Sequence, residues 1–165
     1  MKLADANVLL YAVNSDAPHH EASRAWLDRS LSGDATVAFS WLALLAFVRL
    51  STKPGLFPAP LTTDEAFDRV DAWLAAPAAV VVEATAGHQR RLRELLSNAG
   101  TGGNLTSDAH LAALSLEHRC TVVSFDADFA RFPGVDWERP VASAASLRAE
   151  QGGEGVGPGP SDLLS

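Results

Sequence analysis

One cysteine, Cys120, stands alone in 165 residues. A single thiol excludes an intrachain disulfide and any zinc site built from several thiolates, so a reducing cytoplasm is the expected compartment. Its place before Thr-Val-Val suits a small buried residue better than a nucleophile. Basic charge is also short: 13 Lys and Arg against 20 Asp and Glu give a net charge of −7. That balance disfavours a broad electrostatic grip on nucleic acid or on an anionic membrane, although a local patch can oppose the overall sign. No run approaches the roughly 18 apolar residues that a membrane span needs. The segment MKLADANVLLYAV is apolar but short, carries Asp5 in its middle and lacks a basic n-region, so it does not read as a signal peptide. Several catalytic signatures are missing too. There is no GxSxG elbow, the Gly-rich SNAGTGGN lacks the Lys-Ser/Thr of a phosphate-binding loop, and none of the five histidines has HExxH spacing. His19 and His20 are adjacent, His118 lies eight residues after His110, and His110 reads as structural or rim-located.

What is present is a hydrophobic content of 47%, enough for one domain with a real core. Lys2 to Ala4 reads as a strand feeding a helix that carries Val8, Leu9 and Tyr11, with Asp5 at the junction. A second helix follows Pro18, with Trp26 and Leu31 inward and Gly33 past its end. Thr36 to Phe39 is a short strand, after which Ser40 caps the apolar helix WLALLAFVRL, whose only charge is Arg49. KPGLFPAP must be a loop, with Leu56 and Phe57 expected to tuck onto the core. Thr62 to Glu65 is a capping box for a helix that turns Ala66, Phe67, Val70, Trp73 and Leu74 inward. Ala78 to Val82 lacks alternation, which implies a strand buried on both faces. Gly87 to Asn98 is a helix with Leu92, Leu95 and Leu96 inward and Arg90, Arg91 and Arg93 outward, the best local basic cluster. Gly103 to Leu116 is a helix apolar on most sides, and Thr121 to Ser124 is another buried strand, ending at Asp126 and Asp128. Val135 to Trp137 forms a last short strand. After Leu147 the pattern is lost. Residues 1–147 are expected to be the domain and residues 148–165, rich in Gly and Pro, a disordered tail. Strands alternating with helices predict an α/β fold, a central parallel sheet of four to five strands flanked by helices, with its ligand crevice at the strand C-termini.

Four acids converge on that rim: Asp5 after the first strand, Asp126 and Asp128 after a late one, and Asp108 at the mouth of the apolar helix between them. Each has a structural alternative, since Asp5 and Asp108 can cap their helices and Asp126 and Asp128 can stabilise a turn. Clustered carboxylates nevertheless repel unless a cation neutralises them, and a hard Mg²⁺ or Mn²⁺ needs only a few Asp oxygens.

Three ordered stretches carry a resemblance: Asp5-Ala-Asn7-Val-Leu-Leu-Tyr-Ala, Asn104-Leu-Thr-Ser-Asp108-Ala-His-Leu, and Ser124-Phe-Asp126-Ala-Asp128-Phe-Ala-Arg-Phe. Together they resemble the PIN-domain toxins of VapC type, in register from the N-terminus to about Pro140. The resemblance implies a PIN-like three-layer fold and a Mg²⁺- or Mn²⁺-dependent endoribonuclease that leaves a 5′-phosphate and a 3′-hydroxyl. It also implies a VapB-type antitoxin as partner, RNA as substrate and a homodimer. By motif, Asp5 and Asp108 would be the principal metal ligands, Asp126 the third acid and Asp128 a secondary one, with Asn7 and Ser124 as supporting hydrogen-bonders.

One position departs from the family pattern. Many members carry a Glu in the helix after the second strand, where LLAFVRL has Ala46. A catalytically weakened module that binds RNA or its antitoxin without cutting is therefore the alternative. A phosphatase is more distant, because Asp5-Ala-Asn lacks the second Asp of an aspartyl-phosphate loop. Arg49, one turn beyond Ala46, is a candidate phosphate contact or a structural ion pair, and Arg90, Arg91, Arg93 and Lys53 are further candidates for RNA. Restoring the acid tests the alignment: Ala46→Glu is expected to raise Mn²⁺ affinity by up to roughly tenfold in isothermal titration calorimetry. A fall or no change would place the family Glu elsewhere.

Overall fold

The structure, a computed structural model, describes residues 1–142, so the predicted tail at 148–165 and the end of the predicted domain lie outside the described residues. Its centre is a three-residue strand, β1 (Lys2–Ala4), flanked on both sides by parallel partners. With β2 (Val37–Phe39), β3 (Ala79–Val81), β4 (Thr121–Val123) and β5 (Trp137–Glu138) it forms one parallel sheet in the order β3-β2-β1-β4-β5. The chain thus builds outward from β1 through β2 to β3, then returns to the other side of β1 for β4 and β5. The reversal of strand order falls between β1 and β4, where the crevice of an open α/β sheet belongs.

Alternation along the strands divides the core. Leu3, Ala38 and Val122 face one side, and Ala4, Val37, Phe39 and Val123 the other. Against the second set pack α1 (Ala6–Val13), α2 (His20–Arg29), α3 (Trp41–Ser51) and α4 (Thr63–Leu74), contributing Val8, Trp26, Phe47 and Trp73. Against the first set pack α5 (His88–Ala99) and α6 (Leu105–His118), through Leu95, Leu105 and Leu111. Two helical layers around a sheet are the three-layer arrangement that the sequence predicts.

Helix ends follow local chemistry. Ser40 Oγ accepts the Ala43 N–H at 3.2 Å, and Thr62 and Glu65 close a reciprocal capping box. Gly100, at φ 73°, ends α5 in the left-handed region that a side chain would strain. Cys120 is buried, and burial pushes its thiol up, which fits a packing residue rather than a nucleophile.

Three expectations are corrected. β3 is an edge strand, not one buried on both faces: Val80 is 38% and Val81 39% exposed, and among the described residues only β2 pairs with it. Phe67 lies outward on α4 at 40% exposure, off the stripe formed by Ala66, Val70 and Trp73. In the proline-rich loop Phe57 packs onto the core while Leu56 stays 49% exposed. Among the described residues no helix is long and apolar enough to cross a membrane.

The two phenylalanines make opposite expectations. Phe47, fully buried with its ring edge-on to Trp73 at 4.8 Å, should lose about 3–5 kcal/mol of stability as Phe47→Ala. Phe67→Ala should change stability by less than about 0.5 kcal/mol. Urea unfolding of both variants decides it, and equal losses would refute the outward placement of Phe67.

Candidate metal centre

β1 and β4 end side by side, and a hydrogen-bonded knot ties their ends. Asp5 follows β1 as the N-cap of α1, and its backbone N–H donates to Val123 O at 3.1 Å. Its Oδ1 accepts the Ala6 N–H at 2.6 Å, while Oδ2 accepts Ser124 Oγ at 2.6 Å and Asn7 Nδ2 at 2.8 Å. Ser124, fully buried, accepts in turn from Asn7 Nδ2 at 2.9 Å and from the Asp126 N–H at 3.0 Å. Asn7 Oδ1 takes the Phe125 N–H at 3.3 Å. Every polar atom of the Ser124 side chain is thereby used, and Asp5 retains about one of its four lone-pair sites.

Beyond the knot, Asp126 opens a single 3₁₀ turn, Ala127–Arg131, with its Oδ1 accepting the Asp128 N–H at 2.8 Å. Asp128 has Arg131 Nη1 at 3.6 Å. Asp108 arrives from α6. One carboxylate oxygen from each of Asp108, Asp126 and Asp128 lies within 4.8 Å of the others, an all-oxygen group that fits a hard divalent cation. Asp5 is outside that trio and stands behind it, anchored by the knot.

Asp108 is not a cap. α6 begins at Leu105, so Thr106, Ser107 and Asp108 all lie inside the helix, and the first two N–H groups are taken by Gly102 O at 3.2 Å and Gly103 O at 3.1 Å. Its charge still suits the first turn of a helix. Burial, followed by the charges of Asp126, Asp5 and Asp128, pushes its carboxyl up to about 6. Burial also raises Asp5; the hydrogen bonds from Ser124 and Ala6 oppose the rise and Asp126 adds to it.

The predicted basic residues lie on α3 and α5, whereas the trio is carried by α6 and the turn that Asp126 opens. Arg49 is exposed in the last turn of α3, Arg90 and Arg93 are exposed on α5, and Arg91 is half-buried there. Among the described residues none of the four is in an ion pair, so the structural-pair alternative for Arg49 finds no partner. Ala46 is half-buried on α3.

A second polar chain escaped the sequence. His88 holds Glu117 Oε2 through Nδ1 at 3.0 Å and His110 Nδ1 through Nε2 at 2.8 Å, joining α5 to α6. Burial raises the carboxyl of the nearly buried Glu117, but hydrogen bonds from His88 and the Thr85 N–H outweigh it and leave it below its usual range. Burial and His88 lower His110. The one sequence signal was the seven-residue spacing of His110 and Glu117, which puts them on one helical face.

Comparison with known proteins adds a family and a fold. The PIN domain model matches residues 2–135. Ribonuclease VapC37 of Mycobacterium tuberculosis is 56% identical over 142 residues, which span 86% of this chain and 99% of the relative. Ribonuclease VapC31 of the same species is 41% identical over 140 residues, 85% of this chain and 99% of the relative. Among solved structures, VapBC2 from Rickettsia felis, bound to a DNA fragment from their promoter, aligns with TM-score 0.61 at 20% identity, over 84% of this chain and 97% of that one. Mycobacterium tuberculosis VapC20, a sarcin-ricin loop cleaving toxin, aligns with TM-score 0.61 at 16% identity, over 79% and 93%. At those identities the two structures speak to the fold.

The raised carboxyl has a measurable consequence without metal. Asp108 protonates at about 6 in the folded chain and at the ordinary 3.8 when unfolded, so the folded state binds the extra proton between those values. Its stabilising contribution is full below about pH 4 and is lost as pH rises through about 6. Asp108→Asn should therefore be more stable than the parent at about pH 7 by on the order of 1 kcal/mol, after discounting for solvent screening of a half-exposed group, and the gap should close below about pH 4. Urea unfolding across that range in EDTA measures it. An Asn variant less stable than the parent at neutral pH would contradict the crowding of charge.

Proposed function

The chain belongs to the PIN-domain family, among its VapC-type ribonucleases, and from that premise we propose that it is a Mg²⁺- or Mn²⁺-dependent endoribonuclease, the toxin of a type II toxin–antitoxin pair. The convergence of Asp108, Asp126 and Asp128 within 4.8 Å, with Asp5 anchored behind them, carries the proposal. Four carboxylates gathered at one strand rim, met among the described residues by a single cationic contact, Arg131 to Asp128 at 3.6 Å, make a site that gains most from a divalent ion.

In this reading Asp108, Asp126 and Asp128 hold the cation, and Asp5, Asp108 and Asp126 are the catalytic acids. Asp5 stands beside them with about one lone-pair site left for the same chemistry. A divalent ion held there polarises a phosphoryl oxygen and lowers the pKa of a bound water. Ser124 and Asn7 fix the Asp5 carboxylate in one rotamer, so that its oxygens need no reorganisation when substrate binds. Arg49, Arg90, Arg91 and Arg93 supply phosphate contacts for a protein whose overall charge repels RNA. The acidic pocket also suits a basic side chain of a VapB-type antitoxin, which would take the cation's place. The working form is a cytoplasmic homodimer.

The test is cleavage of structured RNA by the full chain in Mg²⁺, Mn²⁺ or EDTA, beside Asp108→Asn. Cleavage should require the metal and yield 5′-phosphate ends. Asp108→Asn should lower the rate by more than roughly 100-fold, the scale that outer-shell partners alone can reach. Mn²⁺ should raise the melting temperature of the parent and leave that of Asp108→Asn unmoved. Activity that persists in EDTA would sink the metal-site reading. A folded chain that binds Mn²⁺ yet cuts no RNA would favour the binding-only module, with the missing acid at Ala46 as the reason.

A further inference from the structure

Phe125 sits between Ser124 and Asp126, and its N–H is held by Asn7, which fixes its backbone at the lip of the acidic site. On that ring lies the imidazole of His19, parallel within 7° and 4.1 Å between centroids. Tyr11, one turn beyond Asn7 on α1, tilts against both at 5.5 and 5.7 Å. Tyr11 and Phe125 are half-buried and pack onto the core, whereas His19 is exposed. Phe125 covers one face of the imidazole, and the His19 residue as a whole stays open to solvent.

Beyond these ring contacts, the His19 side chain has no further fold role among the described residues. It occupies the N-cap position of α2 but makes no side-chain cap bond, and among the described residues its ring nitrogens have no hydrogen-bond partner. Its backbone carbonyl, which accepts the Ser23 N–H at 3.0 Å, serves the helix whatever side chain stands there.

We propose that His19 and Phe125 form a nucleobase-stacking subsite, in which a base of single-stranded RNA beside the scissile phosphate continues the stack on the outer face of His19. The inference rests on the RNA-cleaving reading of the acidic site. Charge favours it: at a net −7 the long-range pull on RNA is unfavourable, so short-range contacts must add to those of the arginines, and base–aromatic stacking needs no charge. Position favours it as well. Bases of unpaired RNA splay out and stack on aromatic or histidine rings, and this ring adjoins the acids through one covalent neighbour, Phe125 to Asp126.

Steady-state kinetics of the full chain in Mn²⁺ on the RNA oligonucleotide that the parent cuts best provide the test. His19→Ala should raise KM about tenfold, the weight of one base–aromatic stack, with kcat within about twofold of the parent. His19→Phe should restore KM, and His19→Leu, with similar bulk but no π-face, should not. In the Asp108→Asn background, an RNA carrying 2-aminopurine should show quenching at one position only, lost in His19→Ala. An unchanged KM in an active His19→Ala, full rescue by His19→Leu, or quenching that survives His19→Ala would each overturn the subsite while leaving the nuclease standing. A parent that cuts no RNA in any metal would overturn the nuclease reading, and the subsite with it.

Discussion

The hydrogen bond from Ser124 Oγ to Asp5 Oδ2 is the contact on which the site depends, because it crosses the point where the sheet reverses its strand order. β1 and β4 are joined in space by a pairing that spans most of the sequence, and each ends in a short polar residue that satisfies the other. A hydroxyl enclosed on all sides would be costly if any of its partners were missing. Here it donates once and accepts twice, and Asn7 closes the circuit to Phe125. The knot has a mechanical result: two strand ends and the start of the Asp126 turn move as one body, and Asp108 is brought to them by a helix packed on the same sheet.

Electrostatics and packing pull in opposite directions at this rim. Burial first, and then the neighbouring carboxylates, raises Asp5 and Asp108 above their ordinary range, so the site opposes folding until a cation or a proton relieves it. The core offsets that opposition through two apolar layers, one built on Phe39, Phe47 and Trp73 and the other on Leu105, Leu111 and Phe129. A buried carboxylate held by three hydrogen bonds and a half-exposed one held by none divide the labour. Asp5 is rigid and mostly satisfied, and Asp108 is the acid most in need of a ligand.

Much of this was legible in the sequence because the deciding signals are local. Short β-branched runs punctuated by helical periodicity fix an α/β fold, and Asp-x-Asn after a strand or Asp-x-Asp after another marks a rim. What failed was information that only neighbours hold. Periodicity reports that Ala79–Val81 is apolar but not that β2 alone stands beside it. The cap alternative for Asp108 depended on where α6 begins, and Gly102 and Gly103 had already satisfied its first donors. The chain from Glu117 through His88 to His110 spans two helices whose pairing no motif announces.

The edge formed by β3 carries a consequence for the molecule in bulk. Among the described residues, two exposed valines and a row of backbone groups with no strand beside them stand there, the features by which one sheet templates another. At three residues, β3 is too short to hold a stray strand in register, and Pro77 just before it offers no N–H to recruit one. Brevity, rather than covering, makes this edge a poor template.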